Sequence, residues 1–504
     1  MARHDIGALE ELEENRPLKV MAGETAILVI RRGDEVTALA HACPHFGLPL
    51  SKGHLDGNRL ICAFHHACFD VSSGRQTQPP GHGDLRRYEV ESRDGHVFVE
   101  LPEDAEAHPA PPHVRARDKS RRVVIAGSGA AADACALTLR EEGFEGAIAM
   151  ISPEAQPPYD RTLLSKGVLA TGDLPRHLTI TSPQALADRD IDLVEGHVAE
   201  IDPAAREVRT ATGAAQGYDS LLIATGGTAN LLDLPGADLG GLHHLRSRQQ
   251  GEVLAKAAGE ARRAVIVGGG FTGMEAALSL AKRGLEVTVA LREEVPLAKI
   301  VGEEIGRAIR AEHEAKGVRF VTGAKVAGFE GEGQVSAVRL ESGETLPADL
   351  ALLAIGVRPA TDIAELHPEE DGGLRTGPDL AVEGLEGVYA AGDVARAPTP
   401  WGRLRIEHWR VARQHGARAA RAILGKPVDE IDVPFFWTAL GRQYRYLGHA
   451  EGWDEIRMDG EATGDFLARY VKDGRVMALM GAGRDGEIAR AHAEMIRAGG
   501  PLPA

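Results

Sequence analysis

The chain has 504 residues, a net charge of −17 at pH 7 and four cysteines. Nucleic-acid-binding proteins and proteins that bind anionic membranes carry basic surfaces, so this charge predicts that neither is a partner. A chain of this length exceeds one hydrophobic core, which predicts about three or four domains. Residues 1–12 lack the pattern of an export signal, and no apolar run is long enough to span a bilayer. We therefore expect a cytoplasmic protein with reduced cysteines.

The N-terminal part of the chain, residues 1–102, is predicted to be a small all-β domain. Short runs such as residues 25–30 and 97–100 are rich in β-branched and apolar residues, and glycine-containing turns such as the one at Gly33 separate them. Residues 103–121 are rich in proline, alanine and charge, which is typical of a linker.

At residue 122 the pattern changes to units of strand, glycine-rich turn and helix. The first unit predicts a strand over residues 123–126 and a helix over residues 130–141, and a second unit begins at Ala264. Two such units predict two Rossmann-like α/β domains, and a return to strands near the end predicts an α+β domain. The predicted boundaries are residues 122–240 with 345–428 for the first α/β domain, 241–344 for the second, and 429–504 for the α+β domain.

Two Cys/His pairs give the strongest signal in the chain, and they predict the metal ligands Cys43, His45, Cys62 and His65. Each pair supplies one thiolate and one imidazole. A Rieske [2Fe–2S] cluster uses two thiolates on one iron and two imidazoles on the other. The alternative, a zinc site, favours a closer pairing of cysteines.

The sequence around these pairs, CPHFGLPLSKG and CAFHHACFDVSSG, resembles Rieske ferredoxin domains. Respiratory Rieske proteins carry an extra cysteine after each pair, and here the first pair has none. The resemblance therefore implies the ferredoxin and oxygenase type, with Cys68 as a small buried residue. His66 stands where that type usually has glycine, and it is interpreted as either a surface imidazole near the cluster or an ordinary structural residue.

The motif Gly127, Gly129 and Ala132 lies between the first predicted strand and its helix. Its glycines permit a tight turn and let a pyrophosphate approach the helix N-terminus, which predicts a dinucleotide site. Glu154 follows the next predicted strand, and it is a candidate to bind the hydroxyls of the adenosine ribose.

A second motif, Gly268, Gly270 and Gly273, predicts a site for NADH or NADPH. Glu275 is predicted on the first turn of the following helix, where it either approaches the nicotinamide or is an acid stabilised by the helix dipole. The position where an acid would select NADH holds Leu291, so the coenzyme choice stays open, with a preference for NADH.

Further motifs resemble the FAD-contacting segments of the flavoprotein pyridine-nucleotide oxidoreductases. They are PYDRTLLSK at residues 158–166, ATG at 224–226 and GD at 392–393. EHW at residues 407–409 and FFW at residues 435–437 are typical of the branch that contains ferredoxin reductases and apoptosis-inducing factors. Together with the Cys/His pairs, they identify the chain as resembling the Rieske-bearing members of that branch.

This resemblance implies a multidomain fold: an all-β Rieske [2Fe–2S] domain, two α/β domains for FAD and NAD(P), and a C-terminal α+β domain. By resemblance, the catalytic residues are Lys166, Glu275 and His408. The cofactor-binding residues that it adds to the glycine motifs, Glu154 and Glu275 are Arg161, Lys166, Val198, Ala224, Thr225, Gly226, Gly356, Gly392, Asp393, His408 and Trp437.

The sequence also predicts what the chemistry is not. Between residues 152 and 170 there is no cysteine, which excludes dithiol chemistry at the flavin. No motif predicts the two-histidine, one-carboxylate site of a mononuclear iron oxygenase. We therefore expect electrons to pass from NAD(P)H through FAD to the cluster, and then to an external acceptor such as an oxygenase or a cytochrome. The alternative is an NADH-responsive signalling protein with low turnover; in either case we expect a monomer or a weak homodimer.

Overall fold

The computed structural model describes residues 2–103, 106–118, 120–363, 366–428 and 432–504. Residues 104–105 and 119 of the predicted linker, residues 364–365, and residues 429–431 at the predicted start of the last domain lie outside these ranges. The fold is multidomain, with an N-terminal all-β part, two α/β sheets and a C-terminal α+β part, as the sequence predicts.

The N-terminal part contains two antiparallel sheets. The strands of the larger sheet, in spatial order, are Ala2–Ala8, His96–Leu101, Arg87–Arg93, Glu35–Ala40, Thr25–Arg32 and Leu18–Ala22. The strands of the smaller sheet are His54–Asp56, Arg59–Ile61, Cys68–Asp70 and Gln76–Gln78. The loops before the first and after the second strand of this smaller sheet carry the two Cys/His pairs.

The strand Thr25–Arg32 explains how this part builds two cores. Successive side chains of a strand point to opposite faces. Ile27 and Val29 pack into one buried cluster, whereas Leu28 and Ile30 pack into another that contains Cys43 and Cys62. The strand is therefore buried on both faces, and it links the general core of this part to the candidate metal site.

The longer helices are α1 (Ala130–Glu141), α2 (Arg248–Glu260), α3 (Phe271–Lys282), α4 (Glu303–Glu314), α5 (Trp409–Ile423) and α6 (Asp485–Ala498). Short helical segments are Leu9–Glu11, Leu50–Lys52, Arg161–Leu163, Leu164–Val168, Leu169–Thr171, Pro183–Asp188, Ala298–Val301 and Gly392–Val394. None of the helices in the described ranges combines the length and the apolar character that crossing a membrane requires.

Each glycine motif comes directly after a strand of a five-stranded parallel sheet. The first sheet consists of Ile191–Glu195, Ala147–Ser152, Arg122–Ala126, Ser220–Ile223 and Val388–Ala390, and the second of Leu242–His243, Leu350–Leu353, Arg263–Val267, Glu286–Ala290 and Arg319–Val321. Each sheet places its glycine turn and helix N-terminus at the carboxyl ends of its strands, where open α/β sheets bind ligands. The first sheet takes its last strand from beyond the second sheet.

Smaller sheets flank these two. They are Val198–Asp202, Glu207–Thr210 and Ala215–Gly217; Val326–Glu332, Gln334–Leu340 and Thr345–Pro347; Leu374–Arg375, Ala395–Thr399 and Gly402–Leu404; and Gly227–Ala229 with Val357–Pro359. The C-terminal sheet contains Phe435–Ala439, Gln443–Gly448, Arg475–Ala482, Phe466–Lys472 and Glu455–Gly460, and Leu502–Pro503 pairs with its third strand.

The predicted linker runs along the surface of the parts that it joins. The Arg86 N–H donates to Ala107 O at 3.0 Å, and the Val114 N–H donates to Arg140 O at 3.0 Å. Its backbone is therefore hydrogen-bonded to the N-terminal part at one end and to the end of α1 at the other.

Candidate functional site

The two Cys/His pairs lie on neighbouring loops, and all four side chains are buried. The Gly47 N–H donates to Cys43 O, and the His66 N–H donates to Cys62 O, so each loop folds back on its cysteine. The Nδ1 atoms of His45 and His65 lie 3.1 Å apart. The loops thus bring the predicted ligands together as an imidazole pair and a sulfur pair.

The chemistry of this ligand set fits a Rieske cluster. Burial lowers the pKa of His45 to about 2 and that of His65 to about 3, so both rings are neutral, the form that ligates metals. The hydrogen bond with Cys62, together with burial, raises the pKa of the Cys43 thiol. Two thiolates and two imidazoles match the ligands of the two irons.

A cavity of about 590 Å³ lies beside the first parallel sheet. Most of the predicted cofactor-binding residues line it: Gly127, Gly129, Glu154, Arg161, Lys166, Val198, Ala224, Thr225, Gly226, Glu275, Gly392, Asp393, His408 and Trp437. Ala132 does not line it. This alanine is fully buried in α1, where the small residue lets the helix pack closely in the core.

The glycine turn before α1 fits an anionic group. Gly127 has φ +126°, and a Cβ atom there would lie 2.3 Å from Ala224 O. A Cβ atom at Gly129 would enter open space, and no side chain caps the helix at this residue. The free N–H groups of a helix N-terminus attract a pyrophosphate, so the space beside Gly129 suits the diphosphate of FAD.

Two ion pairs line the cavity near these glycines. Glu154 accepts a hydrogen bond from Arg161 at 2.6 Å and another from the Tyr159 hydroxyl at 2.7 Å. Asp393 pairs with Arg246 at 2.5 Å. The two carboxylates predicted to bind FAD are therefore each held in place by an arginine.

Glu275 is the centre of a polar cluster where α3 meets the cavity. One of its carboxylate oxygens accepts from Lys166 at 3.0 Å and from Ser165 at 2.6 Å, and the other accepts from Thr438 at 2.7 Å. Because α3 begins at Phe271, Glu275 lies on the second turn, and its prediction on the first turn was wrong.

His408 lines the cavity and has one buried polar atom without a partner among the described residues. Its ring packs against Phe436 at 4.5 Å between centroids, and its Nδ1 has no hydrogen-bond partner within the described residues. Burial lowers the pKa of His408 to about 4, so the ring is neutral. The Nε1 of Trp409 is likewise buried and without a described partner. Such groups fit a cavity whose polar partner is a bound cofactor.

The second glycine turn repeats the geometry of the first. A Cβ atom at Gly268, which has φ +112°, would lie 2.3 Å from Ala354 O, and one at Gly273 would lie 2.4 Å from Gly268 O. Gly270 caps α3 and faces open space. None of these three glycines lines the large cavity, and neither does Gly356, whose carbonyl accepts from the Asn230 N–H at 3.0 Å.

Trp437 joins the cavity to the Cys/His loops. Its indole lines the cavity, and its ring centroid lies 4.7 Å from that of His65 and 5.4 Å from that of His45. Trp437 therefore lies next to both sites, and Trp409, which also lines the cavity, has its ring centroid 6.5 Å from that of His45.

Residues 121–416 match the family described as pyridine nucleotide-disulphide oxidoreductase, and residues 2–89 match the Rieske [2Fe-2S] domain. The chain belongs to the pyridine nucleotide-disulphide oxidoreductase family. It is an NAD(P)H oxidoreductase, and its cofactors are FAD, NAD(P)H and a [2Fe–2S] cluster.

Relatives of this oxidoreductase include an apoptosis-inducing factor and a ferredoxin reductase component. It is 31% identical to apoptosis-inducing factor 3 of Mus musculus over 97% of this chain and 83% of the relative. It is 36% identical to the ferredoxin–NAD(+) reductase component of the biphenyl dioxygenase system of Paraburkholderia xenovorans, over 68% of this chain and 84% of that protein. Among solved structures, the covalent putidaredoxin reductase–putidaredoxin complex matches with a TM-score of 0.72 and 28% identity, over 77% of this chain and 95% of that one.

Sequence reasoning missed several residues of the oxidoreductase site. Arg246 and Thr438 hold predicted residues in place, but each stands far along the chain from its partner, and no local pattern marks it. Ser165 lies within the predicted segment 158–166, but its hydrogen bond to Glu275 leaves no signal in that segment. His66 is fully buried rather than at the surface. Its ring stacks on Phe435 with centroids 3.7 Å apart.

Proposed function

We propose that the chain passes electrons from NAD(P)H through FAD to its own Rieske cluster, and from there to an external acceptor such as an oxygenase or a cytochrome. The observation that carries this proposal is Trp437, which lines the cavity and contacts the rings of both His45 and His65. FAD supplies the conversion of a two-electron hydride into single electrons, which an iron–sulfur cluster carries one at a time.

In this proposal, the ion pair of Lys166 and Glu275 lies where the nicotinamide meets the flavin. Their ion pair is closed off by Ser165 and Thr438, so the carboxylate cannot turn towards an entering ring. His408 is the third residue of this catalytic set. Its neutral ring lines the cavity.

The two glycine turns bind the two dinucleotides in this proposal. The N-termini of α1 and α3 hold the diphosphates of FAD and NAD(P)H, because both present uncapped N–H groups next to open space. Asp393, positioned by Arg246, binds the ribityl chain of FAD. Cys43, Cys62, His45 and His65 hold the cluster.

The external acceptor needs a route to the cluster ligands. Both imidazoles are buried, whereas the neighbouring Phe46 is 40% exposed. Its ring centroid lies 3.8 Å from that of His45 and 5.5 Å from that of His65. We assign Phe46 to the surface over which an acceptor approaches. The similarity to a reductase component of a dioxygenase system supports an acceptor that is itself a redox protein.

Anaerobic mixing of the holoprotein with NADH tests this proposal. Flavin absorbance and the electron paramagnetic resonance of the reduced cluster would be followed in the same samples. We expect flavin reduction first and cluster reduction second. In Trp437→Leu, the rate of cluster reduction relative to that of flavin reduction should fall by about tenfold, equivalent to about 1.4 kcal/mol of barrier.

Trp453→Leu is the matched control, because Trp453 packs on Tyr470 in the C-terminal sheet away from both sites. This variant should keep the wild-type ratio of rates. A wild-type flavin that is reduced while the cluster signal never develops would show that the internal route is wrong.

The alternative function is an NADH-responsive signalling protein with low turnover. Its support is the similarity to apoptosis-inducing factor 3, which extends over 97% of this chain and includes the Rieske part. Steady-state assays separate the two functions. Rapid reduction of a protein acceptor favours the reductase, whereas a long-lived complex with NADH and negligible turnover favours signalling.

A further inference from the structure

A fully buried arginine connects the Rieske part to the rest of the molecule. Arg410, on the first turn of α5, is 1% exposed. Its Nε donates to Pro79 O at 3.0 Å, and its two terminal nitrogens donate to His66 O at 3.2 Å and to Val433 O at 3.1 Å. Two of these carbonyls belong to the Rieske part, and the third precedes the C-terminal sheet.

The same face of α5 makes further contacts at helical spacing. Residues four apart lie above one another on a helix, so Gln414 and Arg418 follow Arg410 along one side. Gln414 donates to the Gln78 side chain at 2.8 Å. Arg418 pairs with Asp432 at 2.9 Å, and Asp432 also accepts from Gln78. Three successive turns of α5 thus face the Rieske part. Arg410 and Gln414 contact it directly, and Arg418 is linked to it through Asp432.

Helix α6 covers the other side of the Cys/His loops. Ala489 and Ala493, again four residues apart, form one buried cluster with Ile61, Ala63 and Cys68. The small alanine side chains allow the loop that carries Cys62 to approach the helix closely. The Rieske part is therefore held by polar contacts on α5 and by both apolar and polar contacts on α6, the latter including His492 with His66 at 2.9 Å.

We propose that Arg410 is the positioning residue that clamps the Rieske part in one fixed orientation on the reductase. A buried guanidinium is tolerated only while its donors are satisfied, and separating the two parts would remove two of its acceptors at once. Arg410 lines the cavity beside His408. It also donates to the carbonyl of His66, the residue after the predicted ligand His65. Arg410 thus connects the cavity wall directly to the loop that carries His65, in addition to the contacts of Gln414 and α6.

This inference rests on the proposed function for its role in electron transfer, but the clamp itself has an independent readout. The test compares the holoproteins of wild type, Arg410→Met, Arg410→Lys and Arg497→Gln. Arg497→Gln is the matched control, because Arg497 crosses the same boundary to Asp56 but is half exposed. Hydrogen–deuterium exchange is measured at residues 61–68 and 485–498, and the ratio of cluster to flavin reduction rates is measured after mixing with NADH.

For Arg410→Met we expect exchange at both segments to rise by about tenfold and the ratio of rates to fall by about tenfold. Arg410→Lys should lie between this variant and wild type, because an ammonium cannot reach three carbonyls in fixed directions. The control should match wild type in both readouts. If Arg410→Met does not fold, Gln414→Leu, one turn further along α5, should shift both readouts in the same direction.

A folded Arg410→Met holoprotein with wild-type exchange and a wild-type ratio would overturn the clamp. So would a Gln414→Leu holoprotein that behaves as wild type when Arg410→Met is unfolded. If the wild-type cluster is never reduced by NADH, the proposed function fails. The exchange data then still decide whether Arg410 clamps the two parts.

Discussion

Glu141 and Glu142 are adjacent carboxylates at the end of α1, and their surroundings shift their pKa values in opposite directions. Burial raises the pKa of Glu141 to about 7. Burial also acts to raise the pKa of Glu142, but the hydrogen bonds from Lys426 and Arg75 and the charge of Arg421 outweigh it and lower that pKa. Neighbours in sequence therefore contribute to stability with opposite dependence on pH.

Glu141→Gln tests this difference. The folded-state pKa of Glu141 is above the ordinary value of 4.5, so the carboxylate costs stability as pH rises from 4.5 to about 7. At about pH 8 the variant should gain about 1–3 kcal/mol in the free energy of unfolding, and near pH 4 it should match wild type. Thermal unfolding at both pH values measures this.

Glu142→Gln provides the opposite case. Because the folded-state pKa of Glu142 is lowered, its carboxylate stabilises the fold above the unfolded value, and this stability is lost as pH falls through the folded pKa. We expect a loss of about 1 kcal/mol at about pH 8 and a smaller loss near pH 4. Equal pH profiles for the two variants would contradict the prediction.

At the scale of elements, the two glycine turns are built alike, although their sequences differ. In each, the first glycine lies against a backbone carbonyl of the neighbouring strand end, and a later glycine at the helix cap faces open space. The first position is required by the backbone, whereas the second leaves room for a ligand. Within one motif, the first glycine is therefore needed for folding, and the glycine at the helix cap is needed for binding.

Gly270→Ala is expected to leave the protein folded and loaded with FAD, because its backbone is extended at φ −79° and its Cβ atom meets nothing within 4 Å. The methyl group would occupy space needed by the NAD(P)H diphosphate, so KM for the coenzyme should rise by about tenfold. Gly268→Ala is the comparison, since its Cβ atom would clash with Ala354 O and should lower thermal stability. Steady-state kinetics with an unchanged KM in Gly270→Ala would argue against the site.

At the scale of the whole molecule, the net charge of −17 predicts how acceptors are received. An acidic protein attracts a basic acceptor over a Debye length, which shortens from about 30 Å to about 10 Å between 0.01 M and 0.1 M salt. For cytochrome c as a basic probe, kcat/KM should fall by roughly 3- to 10-fold over this range. Ferricyanide, an anion, should show the opposite trend, and parallel salt profiles for the two acceptors would contradict the prediction.

The fold class could be predicted from the amino-acid sequence, because strand alternation and the two glycine motifs are local patterns. The sequence predicted the helix over residues 130–141 with the bounds that α1 has. The predicted ligand set of the cluster rests on local patterns too, since a thiolate and an imidazole at close spacing need no distant partner to be recognised. The identity of the cofactors follows from such motifs, as the family matches confirm.

The contacts between the Rieske part and the reductase could not be predicted from the sequence. Trp437 lies beside His65, and Arg410 binds the carbonyl of His66, across more than 300 residues of chain. The sequence left open whether His66 lies at the surface, and the structure shows that packing against Phe435 buries it. Such contacts depend on the docking of whole sheets and helices, which leaves no periodic signal in the sequence. The motifs therefore predicted the two redox sites, and the fold places Trp437 next to both.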